Sequence, residues 1–135
     1  MGRSAARESL FKLIYEYNVR KERDDLTLSL FLHGLPDDAA AYLESSYNGI
    51  LEHADELVSV IAGHSNGFAR DRIYKVDLAI LMVAVYEIYY RDDIPQAVSA
   101  NEATGLAKKY STDKSWSFVN GLLASVIKEK NKDVS

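Results

Sequence analysis

The stretch from Val76 to Tyr90, V-D-L-A-I-L-M-V-A-V-Y-E-I-Y-Y, constrains the fold of this chain more than any other. It contains no glycine or proline and is apolar around almost its whole circumference, with Asp77 and Glu87 as its only charges. A helix of this kind cannot lie on a surface; it needs neighbours on several sides. The remainder of the chain must therefore wrap amphipathic elements around it. Asp77 suits the positive end of the helix dipole, whereas Glu87 in the last turn opposes it. Glu87 is therefore expected to reach solvent or to serve a partner.

The flanking segments have the required helical period. Residues 4–18 place Ala6, Leu10, Leu13, Ile14 and Tyr17 on one stripe, with Ser4 as the expected N-cap. Arg3 and Arg7 lie four apart with Lys12 nearby, and are expected to share an exposed side. Asp24 and Asp25 open a short segment from Leu26 to Leu32. Pro36, Asp37 and Asp38 then start a long helix whose stripe runs from Ala40 through Leu43, Tyr47, Ile50 and Leu57 to Ile61. Gly49 inside it costs ~1 kcal/mol relative to alanine, which predicts a kink or a tight helix contact. A short basic piece, Phe68 to Tyr74, precedes the central helix.

After the turn at Arg91–Pro95, a further helix runs to about Tyr110. Ser99 and Glu102 have capping-box spacing, although Gln96 or Ala97 are alternative starts. Asp113 or Ser115 is expected to cap the last helix, with Phe118, Val119, Leu122, Leu123, Val126 and Ile127 on its stripe. Lys128 to Ser135 reads as a frayed tail. No segment alternates with period two. The fold class is all-α, with about six or seven helices in one domain.

Charge is segregated along the chain. Residues 1–20 carry a net +2 and residues 105–135 a net +3, leaving −9 on residues 21–104 of the total −4. An acidic protein of this pattern binds a polyanion if folding brings its basic ends together. The chain has no cysteine, which excludes disulfides, thiolate metal sites and a cysteine nucleophile, and fits a reducing cytoplasm. His33, His53 and His64 share no helix face, so no metal site is expected. No nucleophile elbow or phosphate-cradling glycine loop is present, so neither an enzyme nor a cofactor is expected. The aromatic inventory is more informative. Tyr17, Tyr47 and Tyr86 fit buried stripes, whereas Tyr15, Tyr110 and Trp116 lie off the stripes and near basic residues. Exposed aromatics beside cations suit single-stranded RNA; the competing reading is that Trp116 plugs a gap between two helices.

Several motifs, in collinear order, resemble the NusB family of bacterial transcription antitermination factors. They are Ala6-Arg7-Glu8, Leu81 to Glu87, Ile94-Pro95, Asn101-Glu102-Ala103, Leu106-Ala107-Lys108 and Phe118 to Leu123. The pairing of N-E-A with F-V-N-G at this separation is the most specific of them. The resemblance implies two three-helix sub-bundles, here an N-terminal lobe of about residues 1–66 and a C-terminal lobe of about 67–130, with 131–135 as a tail. It implies binding of boxA RNA together with the ribosomal protein NusE, within the transcription elongation complex and in support of ribosomal RNA synthesis. The family's RNA surface falls on Arg3, Ser4, Arg7, Lys114, Ser115 and Phe118, and its NusE surface on Tyr15 and Asp77, with Phe118 close to both. From the residues themselves, Lys12 joins the phosphate contacts and Glu87 the partner contacts. The chain departs from the family pattern at Met82, where an arginine is usual, and at Ala100, where an isoleucine is usual.

Two alternatives belong to other classes. One is a helical interaction module without an RNA role, covering the same surface as a homodimer. The other is a non-catalytic relative of the domain that precedes certain RNA methyltransferases.

Overall fold

In the computed structural model, which describes residues 2–65 and 72–132, the described residues form seven α-helices and no strand. These are α1 (Gly2–Arg20), α2 (Asp25–Leu32), α3 (Asp37–Glu52), α4 (Ala54–Gly63), α5 (Lys75–Tyr90), α6 (Gln96–Tyr110) and α7 (Ser115–Lys132). No helix among the described residues is long and apolar enough to cross a membrane. Most of the basic piece expected at Phe68–Tyr74 lies outside the described residues, which take it up at Arg72.

Helix α5 is the hub. It packs against α1, α3, α4, α6 and α7, and it buries an unbroken run from Ala79 to Ile88. Each fully buried side chain as large as Leu81 or Met82 contributes about 1.5–3 kcal/mol through removal from water. The stripe expected of α1 is buried at Ala6, Leu10, Leu13 and Ile14, while Tyr17 is half-buried. Helices α1, α2 and α3 pack on one another, and α6 pairs with α7. Met82, where the resemblance implies an arginine, is fully buried, and its sulfur accepts a hydrogen bond from Asn18 Nδ2 at 3.3 Å.

Several local expectations need correction. The long helix from Pro36 is two helices, broken at His53, which leaves helical geometry with φ −109° and ψ 18°. Its apolar stripe runs across the break, with Gly49, one turn earlier, as the only local signal. The His53 ring stacks on Tyr90 of α5 with centroids 4.3 Å apart, and this holds the bend. Gly49 marks a tight contact, since a Cβ there would lie 2.3 Å from Tyr86 Oη and 2.6 Å from its ring. Helix α1 begins before Ser4, whose hydroxyl donates to Glu102 Oε1 at 3.1 Å rather than capping. Ser99 lies inside α6, which starts at Gln96 after Pro95, so Ser99 and Glu102 form no capping box. Helix α7 continues through Lys132, where a frayed tail was expected; Gln96 Nε2 donates to Asn131 Oδ1 at 3.2 Å and ties its end to α6.

Candidate functional site

Arg7 points inward. It occupies the same helix face as Leu10, Phe11 and Ile14, is only 3% exposed, and meets Glu87, which is fully buried. Arg7 Nε donates to Glu87 Oε2 at 2.8 Å, Nη2 to Oε1 at 3.1 Å, and Nη1 to Glu102 Oε1 at 3.0 Å. Glu87 also accepts from Ser99 Oγ at 2.7 Å and from the Tyr42 hydroxyl. Burial pulls the Arg7 pKa down, but the Glu87 hydrogen bond and the surrounding negative groups outweigh it and hold the pKa above its ordinary value. Burial, followed by the charge of Glu87, pushes the Tyr42 hydroxyl up. This corrects the expectation that Arg7 lies on an exposed side and that Glu87 serves a partner: the two serve each other.

A second buried cluster fixes the junction of α6 and α7. Asp77, in the first turn of α5, accepts from Ser111 Oγ at 2.6 Å and from Ser115 Oγ at 2.9 Å. Thr112 Oγ1 lies 2.9 Å from Ser115 Oγ. The Ser115 hydroxyl is therefore committed to Asp77, neither capping α7 nor facing outward, and Asp77 is 3% exposed. Both line a groove of about 580 Å³, together with Arg72, Ile73, Tyr74, Asp113, Lys114 and Phe118. Tyr74 and Lys114 are exposed and Phe118 is half-buried. The apolar surfaces of Ile73, Tyr74 and Phe118 suit an inserted side chain, and the lining balances Arg72 and Lys114 against Asp77 and Asp113, so it suits a mixed polar partner at its edge.

The basic ends do meet, along a strip that joins α1 to α6. Lys12 Nζ lies 5.8 Å from the Tyr110 ring centroid, Phe11 packs on the same ring at 5.1 Å, and Lys109 Nζ lies 5.4 Å from it. Glu8 accepts from Lys109 Nζ at 2.8 Å and from the Tyr110 hydroxyl, and these hydrogen bonds hold the Glu8 carboxyl below its usual range. Lys108 Nζ lies 5.0 Å from the ring of Trp116, which is 41% exposed and does not plug the core. Lys12 is thus the α1 cation brought to the α6 end. Arg3, about 13 Å further back along α1 at 1.5 Å per residue, instead stacks on Tyr42 at 4.5 Å. Tyr15 is exposed on α1 and does not line the groove. Sequence reading missed Tyr42, which is buried and central to the Arg7 network. Among the described residues, no group of three or more histidine, cysteine or acidic side chains is placed to hold a metal.

The architecture and these surfaces define a helical binding protein, with buried charges paired internally and Lys12, Lys108, Lys109 and Lys114 brought toward the α6–α7 junction. The chain matches the NusB family model over residues 4–128. It is 42% identical over 130 residues to the transcription antitermination protein NusB of Ruminiclostridium cellulolyticum, covering 95% of this chain and 90% of that protein. To the NusB of Agathobacter rectalis it is 43% identical over 128 residues, covering 92% and 98%. Among solved structures, T. maritima NusB superposes with a TM-score of 0.85 at 27% identity, covering 98% of this chain and 97% of that one. A crystal structure of antitermination factors NusB and NusE in complex with dsRNA shares the fold, with a TM-score of 0.84 at 24% identity and coverage of 95% and 97%. The chain belongs to the NusB family.

Proposed function

We propose that this protein is a cytoplasmic transcription antitermination factor that binds boxA-type RNA together with NusE and acts by binding alone, without catalysis. In this role it joins the transcription elongation complex and supports ribosomal RNA transcription. The observation that carries the reading is the groove at the α6–α7 junction, with Lys114 and Phe118 in its wall and the Lys12–Tyr110 strip nearby, in a chain whose named relatives are antitermination proteins. The solved assembly of NusB, NusE and dsRNA supports the choice of partners.

Within this proposal, Arg3, Ser4, Lys12 and Lys114 face phosphates, and Phe118 stands where RNA and NusE meet. Tyr15 extends the NusE contact. Arg7, Glu87, Asp77 and Ser115 keep their place in the site as its scaffold, holding α1 and the α6–α7 link in register. The division into lobes of about 1–66 and 67–130 belongs to the same proposal.

The test is a titration of boxA RNA with and without NusE at several salt concentrations. Affinity should fall steeply with salt and rise with NusE, and Lys12→Ala with Lys114→Ala should reduce the salt slope by about two, roughly one per phosphate contact. An affinity indifferent to both RNA sequence and NusE would sink the reading. A dimer that RNA cannot dissociate would favour the interaction-module alternative.

A further inference from the structure

Trp116 is the only tryptophan of the chain and lies outside the groove lining, in the first turn of α7. Its ring is held by Lys108 from the last turn of α6, with the ammonium 5.0 Å from the ring centroid. Asn120 follows one helical turn later, so the two side chains share a face of α7. Asn120 is exposed and its side chain makes no hydrogen bond to another described residue. None of the three contributes to the core. Around the hairpin, Lys109 is paired with Glu8 of α1, while Lys108 and Lys114 have Asp113 as the one acid between Gly105 and Phe118. The setting is electropositive rather than the apolar surround of a protein hot spot.

We propose that Lys108, Trp116 and Asn120 form a nucleobase platform on the outer face of the α6–α7 hairpin, taking one unpaired nucleotide of the bound RNA. This rests on the RNA-binding reading above and adds a site beyond the groove and the α1 strip. The indole stacks on the base, which is tolerant of sequence because every base has a π face. Lys108 fixes the ring and holds a cation beside the flanking phosphate. Asn120 presents an amide donor and acceptor to the base edge, the part of the site able to discriminate among bases.

The experiment follows binding of fluorophore-labelled single-stranded boxA RNA by anisotropy in the presence of NusE, using the full chain. Trp116→Ala should weaken binding by about 5- to 140-fold, the range set by loss of one stacked base, and Trp116→Phe should recover part of the loss. Lys108→Ala should lower the salt slope by about one, whereas Trp116→Ala leaves the slope unchanged. Asn120→Ala should narrow the gap between boxA and scrambled RNA. In the wild type, RNA should quench the fluorescence of the lone tryptophan. If Trp116→Ala, folded by circular dichroism, binds RNA as well as wild type while Lys12→Ala/Lys114→Ala is weakened, the platform is overturned and the RNA reading stands. If Trp116→Ala loses NusE but retains the RNA, the platform is also overturned and the face belongs to the protein partner. If the wild type binds no RNA, the underlying reading falls first.

Discussion

The sharpest test of the architecture is the removal of Arg7. Arg7→Ala deletes the three charge-assisted hydrogen bonds to Glu87 and Glu102 and leaves the fully buried Glu87 with only Tyr42 and Ser99 as partners. Breaking a buried pair from one side costs about 3–5 kcal/mol, because an uncompensated charge remains. Unfolding entropy near ~2.1 cal/mol/K per residue, over 135 residues, converts this to a fall in Tm of about 10–18 °C. Glu87→Gln should also destabilise: the amide keeps one acceptor oxygen, but Glu102 becomes the one charged partner of Arg7 among the described residues. In the Arg7→Ala/Glu87→Gln double variant, which contains neither charge, the loss should be well short of additive. Urea unfolding of the four proteins, with m-values compared, measures each term. Stability of Arg7→Ala within about 1 kcal/mol of wild type at unchanged m, or a stable variant that has lost RNA affinity, would refute the assignment of Arg7 to the scaffold.

Other perturbations have defined signs. Gly49→Ala gains ~1 kcal/mol in helix propensity but forces Tyr86 aside; overpacking of ~1–3 kcal/mol should make it neutral to destabilising, and Gly49→Ala/Tyr86→Leu should recover part of the loss in a thermal melt. Hydrogen bonds from Lys109 and Tyr110 to Glu8, from Arg91 to Asp93, and from Thr27 to Asp24 hold these carboxyls below their usual values. The unfolded chain therefore binds protons at higher pH than the folded one. Their stabilisation is complete above about pH 5 and is lost as pH falls through the folded values. Glu16, raised by burial and by its hydrogen bond with Asp24, contributes with the opposite sign. A pH series of unfolding midpoints should therefore fall on acidification, and less steeply in Asp93→Asn; a flat profile would contradict these assignments.

The seven helices were largely legible because their apolar stripes follow the helical period, and because α5 leaves no exposed face to explain. The tertiary use of polar residues was much less legible. The spacing of Arg7 from Arg3 suggests an exposed pair, yet its spacing to Leu10, Phe11 and Ile14 places it on the buried face. An inward arginine and a glutamate in an otherwise apolar helix imply each other, and that pairing was the available signal. Ser99 and Glu102 matched a local capping pattern but bond to Glu87, Arg7 and Ser4 instead, because side chains that satisfy a buried charge are worth more than a cap. The bend at His53 had only Gly49, one turn earlier, as a local signal, and that glycine marks a tight contact as well. Its tertiary partner is Tyr90, thirty-seven residues away, on which the His53 ring stacks.

Glu8 lies at the centre of the basic strip, and its removal separates two effects that usually change together. The carboxylate accepts from Lys109 and Tyr110 and lies near Lys12, so it orders the strip while cancelling one of its charges. Glu8→Gln keeps the volume and an acceptor oxygen but removes the charge. The ion pair is partly exposed, with a Lys109 side chain 61% accessible, so the stability loss should stay within about 1 kcal/mol. Lys109 then becomes available to a phosphate, and the strip gains one net positive charge. RNA affinity at low salt should rise, and the salt slope should steepen by about one. Charge thus favours the variant for RNA while order favours the wild type for folding. If Glu8→Gln binds RNA more weakly while remaining folded, geometry rather than charge governs the strip, and its role as a phosphate-facing surface fails.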